Sequence, residues 1–200
     1  MADMSRSAQL SRRTGETDVR VALFLDDPSP QRIATGVGFF DHMLELLARH
    51  GRLGLGVTVE GDLATGAHHT VEDTGIVIGQ ALDQALGDRR GIRRYGHAVV
   101  PMDEARAACA LDLSGRPYCA VSGLLIPAGV TGGFEHELVE EFLRAVASAA
   151  KLTVHVDVEA GTNAHHMIEA CFKAFARALR AAVSLDPDEG GVPSTKGTLT

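Results

Sequence analysis

Two stretches of the sequence decide the fold: HHTVEDTGIVIGQALDQAL at residues 68–86 and HHMIEACFKAFARALRAAV at residues 165–183. Each begins with the pattern His-His-x-x-Glu and continues with apolar residues every three or four positions. That spacing is typical of an amphipathic helix, and it predicts one long helix from each stretch. Because the motif occurs twice in one chain, the sequence indicates a repeated structural unit.

The same series of predicted elements precedes both stretches: a helix, a strand and a glycine-containing loop. In the first half the predicted elements are a strand at 19–25, a helix at 39–48, a strand at 53–60 and a loop at 61–66. In the second half they are strands at 98–100, 106–112 and 118–125, a glycine-rich loop at 127–133, a helix at 135–150, a strand at 152–158 and a loop at 159–163. We therefore expect an α+β fold of two similar β-α-β-α halves related by a pseudo-twofold axis, with sheets packed against helices.

The repeat also predicts the domain organisation. The first half is expected at residues 13–93 and the second at 94–185. Residues 1–12 are mostly polar and are predicted to form a mobile N-terminal arm. Residues 186–200 contain prolines and glycines and are predicted to form an irregular C-terminal tail.

Composition limits the classes of function. The 200 residues are 45% hydrophobic, enough for a substantial core, and the net charge of -7 argues against nucleic acid or an anionic membrane as the main partner. The cysteines lack the spacing of a thiol metal site and are expected to be buried reduced thiols. Because no stretch has the apolar length of a signal peptide core or a membrane span, the sequence predicts a cytoplasmic protein.

The repeated motif carries the chemistry of a metal site. Positions three and four apart share one face of a helix, so both histidines of a motif can share a face with its glutamate. Adjacent imidazoles point about 100° apart and therefore suit two metal ions better than one. The residues concerned are His68, His69 and Glu72 in the first motif and His165, His166 and Glu169 in the second. Such mixed N/O ligands favour Mn, Fe, Co, Ni or Zn over Ca or Mg.

A single motif of this kind is commonly a solvated start of a helix, but two copies at matching places favour metal binding. His42 and Glu141 lie upstream of the first and the second motif at comparable places in the repeat. His42 is a predicted ligand, although core packing around a helix N-terminus would also explain it. Glu141 is a weaker candidate, because glutamates on helices are usually exposed and solvated.

Basic and hydroxyl side chains form a second constellation. They occur in four separate segments, at 89–94, at 114–117, at Lys173 and at 194–197. Guanidinium, ammonium, hydroxyl and glycine amide groups together are the donors that bind phosphate. In a chain of net negative charge, this distribution indicates an anionic small substrate.

Together the motifs resemble the imidazoleglycerol-phosphate dehydratase family, from about residue 13 to residue 197. The segments that carry the resemblance are RTGET at 13–17, FFDHML at 39–44, HHTVED at 68–73, PMDE at 101–104, DLSGRPY at 112–118, HHMIEA at 165–170 and PSTKG at 193–197. The resemblance implies a fold like that of domain 2 of ribosomal protein S5. It also implies a hydro-lyase of histidine biosynthesis, which eliminates water from D-erythro-imidazole glycerol phosphate to give imidazole acetol phosphate through a di-manganese-bound imidazolate.

The resemblance further implies two Mn(II) ions per active site and a homo-oligomer of 24 subunits with active sites at subunit contacts. One ion would be held by His68, Glu141, His165 and Glu169, and the other by His42, His69, Glu72 and His166. The chain has Glu141 where plant-type members have a histidine. The candidates for proton transfer are Glu16, Glu72 and Glu169, of which Glu16 and Glu169 are favoured. Substrate binding would fall to Glu16, Arg94, Arg116, Lys173, Ser194, Thr195 and Lys196.

Two other functions are consistent with these residues. Paired metals with N/O ligands also activate water in hydrolases that act on phosphorylated or amide substrates. A metal-binding oligomer or small-anion-binding protein without catalytic activity is the second alternative. Further interpretations concern the isolated histidines. His50, His97 and His155 are expected to be structural or surface residues. His136 either lies near the site or caps a helix, and the cap is the favoured interpretation.

Overall fold

A computed structural model describes residues 6–29 and 32–199. The helices and strands follow one another as β1 (Ser7–Arg13), β2 (Thr17–Phe24), β3 (Ile33–Ala34), α1 (Gly38–Gly51), β4 (Gly54–Gly61), α2 (His68–Leu86), β5 (Tyr95–Met102), β6 (Ala105–Asp112), β7 (Tyr118–Gly123), β8 (Val130–Thr131), β9 (Phe134–Glu135), α3 (Leu138–Ala150), β10 (Thr153–Ala160) and α4 (Ala164–Val183). Among these described residues, no helix is both long enough and apolar enough to cross a membrane.

The two main sheets have the same topology. Their strand orders are β1-β2-β4-β3 and β5-β6-β10-β7. In each sheet the first three strands are antiparallel neighbours, and the fourth is parallel to the third. Every strand of the first sheet therefore has a counterpart in the second, which confirms the predicted α+β fold of two similar halves.

The four helices join the halves in a shared core. Helix α2 packs on the first sheet and α4 on the second, while α2 also packs against α3 and α4 against α1. Each helix pair thus takes one member from each half. Gly79 permits the close approach of α2 to α3, because a Cβ atom there would lie 2.7 Å from the carbonyl oxygen of Val146. This packing places the starts of α1 and α4 side by side.

Aromatic rings fill the centre between the helices. The ring of Phe40 lies 5.7 Å from that of Phe134 and 5.5 Å from that of Phe142, which in turn lies 5.2 Å from Phe172. These side chains are fully buried. Because they come from α1, β9, α3 and α4, their contacts fix the relative positions of elements from both halves.

The structure corrects the prediction that residues 1–12 form a mobile N-terminal arm. Residues 7–13 form strand β1, which pairs with β2 along its whole length. The prediction was wrong because β1 lies at an edge of the sheet and has one exposed face, so its sequence is largely polar. Its inner face holds the buried Ala8, and Arg12 forms an ion pair of 2.5 Å with Asp73 of α2. Residues 1–5 of the predicted arm lie outside the described residues.

Several boundaries also differ from the prediction. The loop expected at 127–133 includes β8, and the helix expected from residue 135 begins at Leu138 because β9 precedes it. The extended stretch from 98 to 112 is a hairpin of β5 and β6 with its turn at Asp103, whose φ is 50°. Residues 186–199 contain turns and bends and no helix or strand.

Candidate metal centre

Three ligand-type side chains converge between α1 and α4. The Nε2 atoms of His42 and His165 lie 3.2 Å and 2.9 Å from Oε1 of Glu169. One ligand atom from each of the three residues lies within 4.8 Å of the other two, and within the described ranges this is the one such group of three or more. Two imidazole nitrogens and one carboxylate oxygen form a donor set that suits Mn(II), Fe(II) or Zn(II).

Local structure explains how α4 presents its two members of this group. Asn163 precedes α4, and its side chain accepts hydrogen bonds from the backbone N–H groups of His165 (2.9 Å) and His166 (3.5 Å). This capping satisfies donors that are otherwise unpaired at the start of a helix. The ring of His165 also lies 5.0 Å from that of Phe39 on α1, so its orientation is restricted from a second side.

The carboxylate of Glu169 carries the negative charge of the group. Its side chain is only 7% exposed, and the Nζ atom of Lys173 donates to its Oε2 at 2.5 Å. Burial acts to raise the pKa of Glu169, but hydrogen bonds from Lys173, His165 and His42 outweigh that effect and lower its pKa to about 2. Glu169 is therefore ionised at neutral pH, as a metal ligand must be.

In the first motif, as in the second, the first histidine faces the glutamate of its own helix, but the distance between them is longer. The Nε2 atom of His68 lies 3.9 Å from Oε2 of Glu72 on the next turn of α2. The neighbouring His69 faces another way: its Nδ1 atom lies 3.0 Å from Asp62, and its Nε2 atom 3.6 Å from Glu16. The ring planes of the two histidines are 89° apart. The two imidazoles therefore present their nitrogens in different directions.

His166 of the second motif has its own carboxylate. Its Nδ1 atom lies 2.7 Å from Oε2 of Glu104, and its Nε2 atom lies 3.7 Å from Asp103. The hydrogen bond between His166 and Glu104 raises the pKa of His166. The same bond, together with those from backbone N–H groups, lowers the pKa of Glu104 to about 2. The ring plane of His166 is 88° from that of His165, so the second motif repeats the divergence seen in the first.

Within one chain, the four residues of each predicted metal-ligand set do not lie together. His42 was assigned to the second set, yet it lies beside His165 and Glu169 of the first, because α1 packs against α4. Glu141 lies on α3, which packs against the helix of His68, and its carboxylate accepts a hydrogen bond from Arg144 at 2.9 Å. Glu141 lies near the start of α3, as His42 lies near the start of α1, so the two have comparable places in the repeat. Its role as a ligand stays a prediction.

The residues predicted to bind phosphate fall into separate groups. Arg94 donates to Asp112 at 2.7 Å and 3.1 Å and to the carbonyl oxygen of Pro193 at 2.9 Å. The contact with Pro193 holds the start of residues 193–197, called the tail segment below. Within this segment the backbone N–H of Lys196 donates to Oγ of Ser194 at 3.2 Å. Thr195 lies between these two residues.

Two other predicted phosphate ligands lie elsewhere. Lys173 neutralises Glu169, as described above. Arg116 has its backbone N–H and its guanidinium bonded to Ser114, at 3.1 Å and 3.2 Å. Arg94 and Lys173 are thus paired with carboxylates, whereas the guanidinium of Arg116 has a neutral carbonyl oxygen as its partner and keeps its charge available to an anion.

Two carboxylates at the site were missed by reasoning from sequence, Asp62 and Glu104. Glu104 stands in the segment PMDE at 101–104, and Asp62 directly follows β4. An acidic residue at the end of a strand was the signal available for each, but nothing in the sequence shows that its side chain reaches a motif histidine.

The remaining predictions concern residues away from the motifs. His136 was expected to cap a helix, which was wrong: its Nδ1 and Nε2 atoms contact the carbonyl oxygen of Pro127 (2.7 Å) and Oγ1 of Thr131 (2.8 Å), so it ties together the loop before α3. All three cysteines are free thiols; Cys109 and Cys171 are buried as predicted, whereas Cys119 is only partly buried. Burial raises the pKa of Cys109 and of Cys171 to about 12, which makes both poor nucleophiles and poor metal ligands.

Comparison with known proteins points to one family. The family profile described as imidazoleglycerol-phosphate dehydratase matches residues 35–179. A protein of that name from Moorella thermoacetica is 56% identical over 197 residues, which cover 98% of this chain and 100% of the relative. A protein of the same name from Granulibacter bethesdensis is 55% identical over 197 residues, again with 98% and 100% coverage.

Solved structures agree in fold. The crystal structure of imidazoleglycerol-phosphate dehydratase from Staphylococcus aureus has a TM-score of 0.81 and 44% identity, covering 90% of this chain and 99% of that one. The enzyme from Pyrococcus furiosus, crystallised in complex with (S)-C348, has a TM-score of 0.82 and 35% identity, with coverage of 95% and 100%. The whole length of these proteins is therefore represented in the chain.

Proposed function

The chain belongs to the imidazoleglycerol-phosphate dehydratase family, and from that premise we propose that it eliminates water from D-erythro-imidazole glycerol phosphate to give imidazole acetol phosphate, a step of L-histidine biosynthesis. The observation that carries the proposal is the convergence of His42, His165 and Glu169, with Glu169 held ionised by Lys173. Such a centre suits a substrate whose imidazole ring must be activated.

The proposal includes two Mn(II) ions per active site. His42, His165 and Glu169 are the residues that would hold one of them, because their donor atoms already lie close together. The other candidate ligands are His68, His69, Glu72, Glu141 and His166. Bound Mn(II) would supply positive charge beside the imidazole of the substrate, which makes the ring a better acceptor of electrons.

Proton transfer is assigned to carboxylates that remain free to accept a proton. The Glu16 side chain is 56% exposed and lies 3.6 Å from Nε2 of His69, at the edge of the first motif. Glu72 is also partly exposed, at 40%. Glu169 lies in the group with His42 and His165, and its charge is paired with Lys173, so we assign it to metal binding first. Glu16, which is in neither proposed ligand set, is therefore the first candidate for proton transfer, and Glu72 and Glu169, which are also candidate ligands, are the other two.

The phosphate of the substrate would be bound by Arg116 and by Ser194, Thr195 and Lys196 of the tail segment. The Arg94 contacts with Asp112 and Pro193 support this role indirectly, because they hold the tail segment in place. Lys173 contributes by keeping Glu169 charged. Contacts to a remote phosphate orient the reacting carbons and so contribute to rate rather than only to affinity.

We further propose a homo-oligomer of 24 subunits with active sites at subunit contacts, located in the cytoplasm. One support is that one chain gathers only part of the predicted ligand sets. Another is an exposed apolar segment before α3, where Leu124, Leu125 (92% exposed) and Val130 lie in a region suited to contact with another subunit. The free thiols are compatible with a reducing compartment.

One experiment tests the proposed function. The purified protein is supplied with Mn(II) and imidazole glycerol phosphate, and the enol-ketone product and free inorganic phosphate are both measured. Formation of imidazole acetol phosphate without phosphate release supports the dehydratase. Release of phosphate without that product would favour the hydrolase alternative. A folded, metal-loaded sample that does neither would contradict the proposal.

A further inference from the structure

The second histidine of each motif has a carboxylate at the same ring nitrogen. Asp62 lies 3.0 Å from Nδ1 of His69, and Glu104 lies 2.7 Å from Nδ1 of His166. The first histidines of the motifs differ, because the Nε2 atoms of His68 and His165 face the glutamate of their own helix. The chain therefore orients its second histidines from outside the helix that carries them.

The carboxylates are themselves held in place. Glu104 accepts hydrogen bonds through Oε1 from the backbone N–H groups of Thr162 (3.2 Å) and Asn163 (2.8 Å), and through Oε2 from His166. Asp62 accepts a hydrogen bond from the hydroxyl of Thr65 at 3.0 Å. A carboxylate fixed in this way restricts the rotation of the imidazole that donates to it.

The contact also determines which nitrogen carries the proton. An ionised carboxylate has no hydrogen to donate, so the Nδ1 atoms of His69 and His166 must carry the proton in these hydrogen bonds. In the neutral ring, the lone pair is then on Nε2. A metal ion binds that lone pair, and a carboxylate on the opposite nitrogen is the common partner of a metal-binding histidine.

The repeat shows that this arrangement is not a simple copy. Glu104 directly precedes β6, and Glu16 directly precedes its counterpart β2. Nevertheless Glu104 meets Nδ1 of His166, whereas Glu16 lies on the Nε2 side of His69. In the first half, Asp62 at the end of β4 takes the place at Nδ1 instead. Residues at equivalent positions in the two halves thus lie beside different nitrogens of the second histidine.

We propose that Asp62 and Glu104 are positioning residues, which hold the rings of His69 and His166 with Nε2 available for the metal. The inference rests on the proposed function only in taking His69 and His166 as metal ligands. A purely structural role is the alternative, because Glu104 also ties the loop at 161–163 to the β5–β6 turn. A test must therefore separate metal affinity from fold stability.

The test compares Mn(II) affinity, measured from the electron paramagnetic resonance signal of the free ion, in the full-length protein and in Asp62→Asn and Glu104→Gln. Each amide keeps the size and an acceptor oxygen of the original side chain but lacks its charge. We expect each variant to bind Mn(II) about 10- to 100-fold more weakly, the range typical for loss of such a partner. The melting temperature, measured with a chelator, should change little.

Matched controls are Glu60→Gln on β4, an exposed carboxylate, and Glu159→Gln on β10, whose carboxylate pairs with Arg106 at 2.6 Å instead of with a motif histidine. These controls should bind Mn(II) as the unchanged protein does. Unchanged affinity in folded Asp62→Asn and Glu104→Gln would overturn the inference, as would a lowered melting temperature with affinity unchanged. If the unchanged protein binds Mn(II) but has no dehydratase activity, the proposed function fails and the positioning roles stand.

Discussion

The Nε2 atom of His42 lies 3.2 Å from Oε1 of Glu169, although the two residues are 127 positions apart in the chain. His42 belongs to α1 of the first half and Glu169 to α4 of the second. The contact exists because the shorter helix of one half packs against the longer helix of the other. The candidate metal centre is thus a product of how the two halves interlock, and neither half contains it alone.

Removal of His42 should therefore weaken metal binding without unfolding the protein. The side chain is 45% exposed, so His42→Ala leaves little cavity. Since it deletes one donor of the three, we expect Mn(II) affinity to fall by more than about 100-fold, beyond the range for an outer partner. Metal content after dialysis against a fixed Mn(II) concentration provides the measurement. His97→Ala, an exposed histidine on β5, is the control, and equal metal content in both variants would contradict the assignment.

Lys173 should be essential for stability because it compensates a buried charge. Its side chain and that of Glu169 are 14% and 7% exposed. In Lys173→Met the carboxylate loses its cation, and removal of one partner of a buried pair costs about 3–5 kcal/mol of unfolding free energy. Urea unfolding in the presence of a chelator measures this. The double variant Lys173→Met with Glu169→Gln should recover much of the loss, and a single variant as stable as the original protein would disprove the pairing.

The metal-free protein should lose stability in acid through Glu169. Its pKa in the folded state, about 2, is below the ordinary value of 4.5, so the unfolded chain takes up a proton first as pH falls. The contribution is therefore fully present above about pH 4.5 and declines as the pH approaches 2. Urea unfolding at several pH values, with Glu169→Gln for comparison, isolates it. Parallel pH profiles for the two proteins would show that Glu169 is not the source.

How much the sequence could predict depends on which physical signal each feature leaves in it. Helix α2 has the predicted bounds, His68–Leu86, because a long helix buried on one side has a clear apolar periodicity. The strand β1 was missed because its exposed edge position weakens that signal. The grouping of His42 with Glu169 was missed because spacing along a chain contains no information about which helices pack together across the two halves.

The same reason explains why the partners of the motif histidines were not predicted. Asp62 and Glu104 contact their histidines from a strand end and a turn, at separations of 7 and 62 residues. Only the first of these separations is local, and it spans a 3₁₀ turn at Leu63–Thr65, within the segment predicted as a loop. Side-chain contacts of this kind follow from tertiary packing and leave no periodic pattern.

Glu16→Gln should abolish turnover while leaving metal binding nearly intact. Glu16 lies 3.6 Å from His69, is 56% exposed, and has no place in the group of His42, His165 and Glu169. The amide keeps the shape of the side chain but cannot accept a proton, so we expect kcat to fall by about 10²- to 10⁴-fold, the usual contribution of a general acid or base.

The measurement is kcat and Mn(II) content on the same preparation. Glu60→Gln, which alters an exposed glutamate on β4, is the matched control and should keep its activity. Loss of metal together with loss of activity in Glu16→Gln would make Glu16 a ligand rather than a proton carrier. Normal turnover would instead transfer that role to Glu72 or Glu169, the other carboxylates proposed for proton transfer.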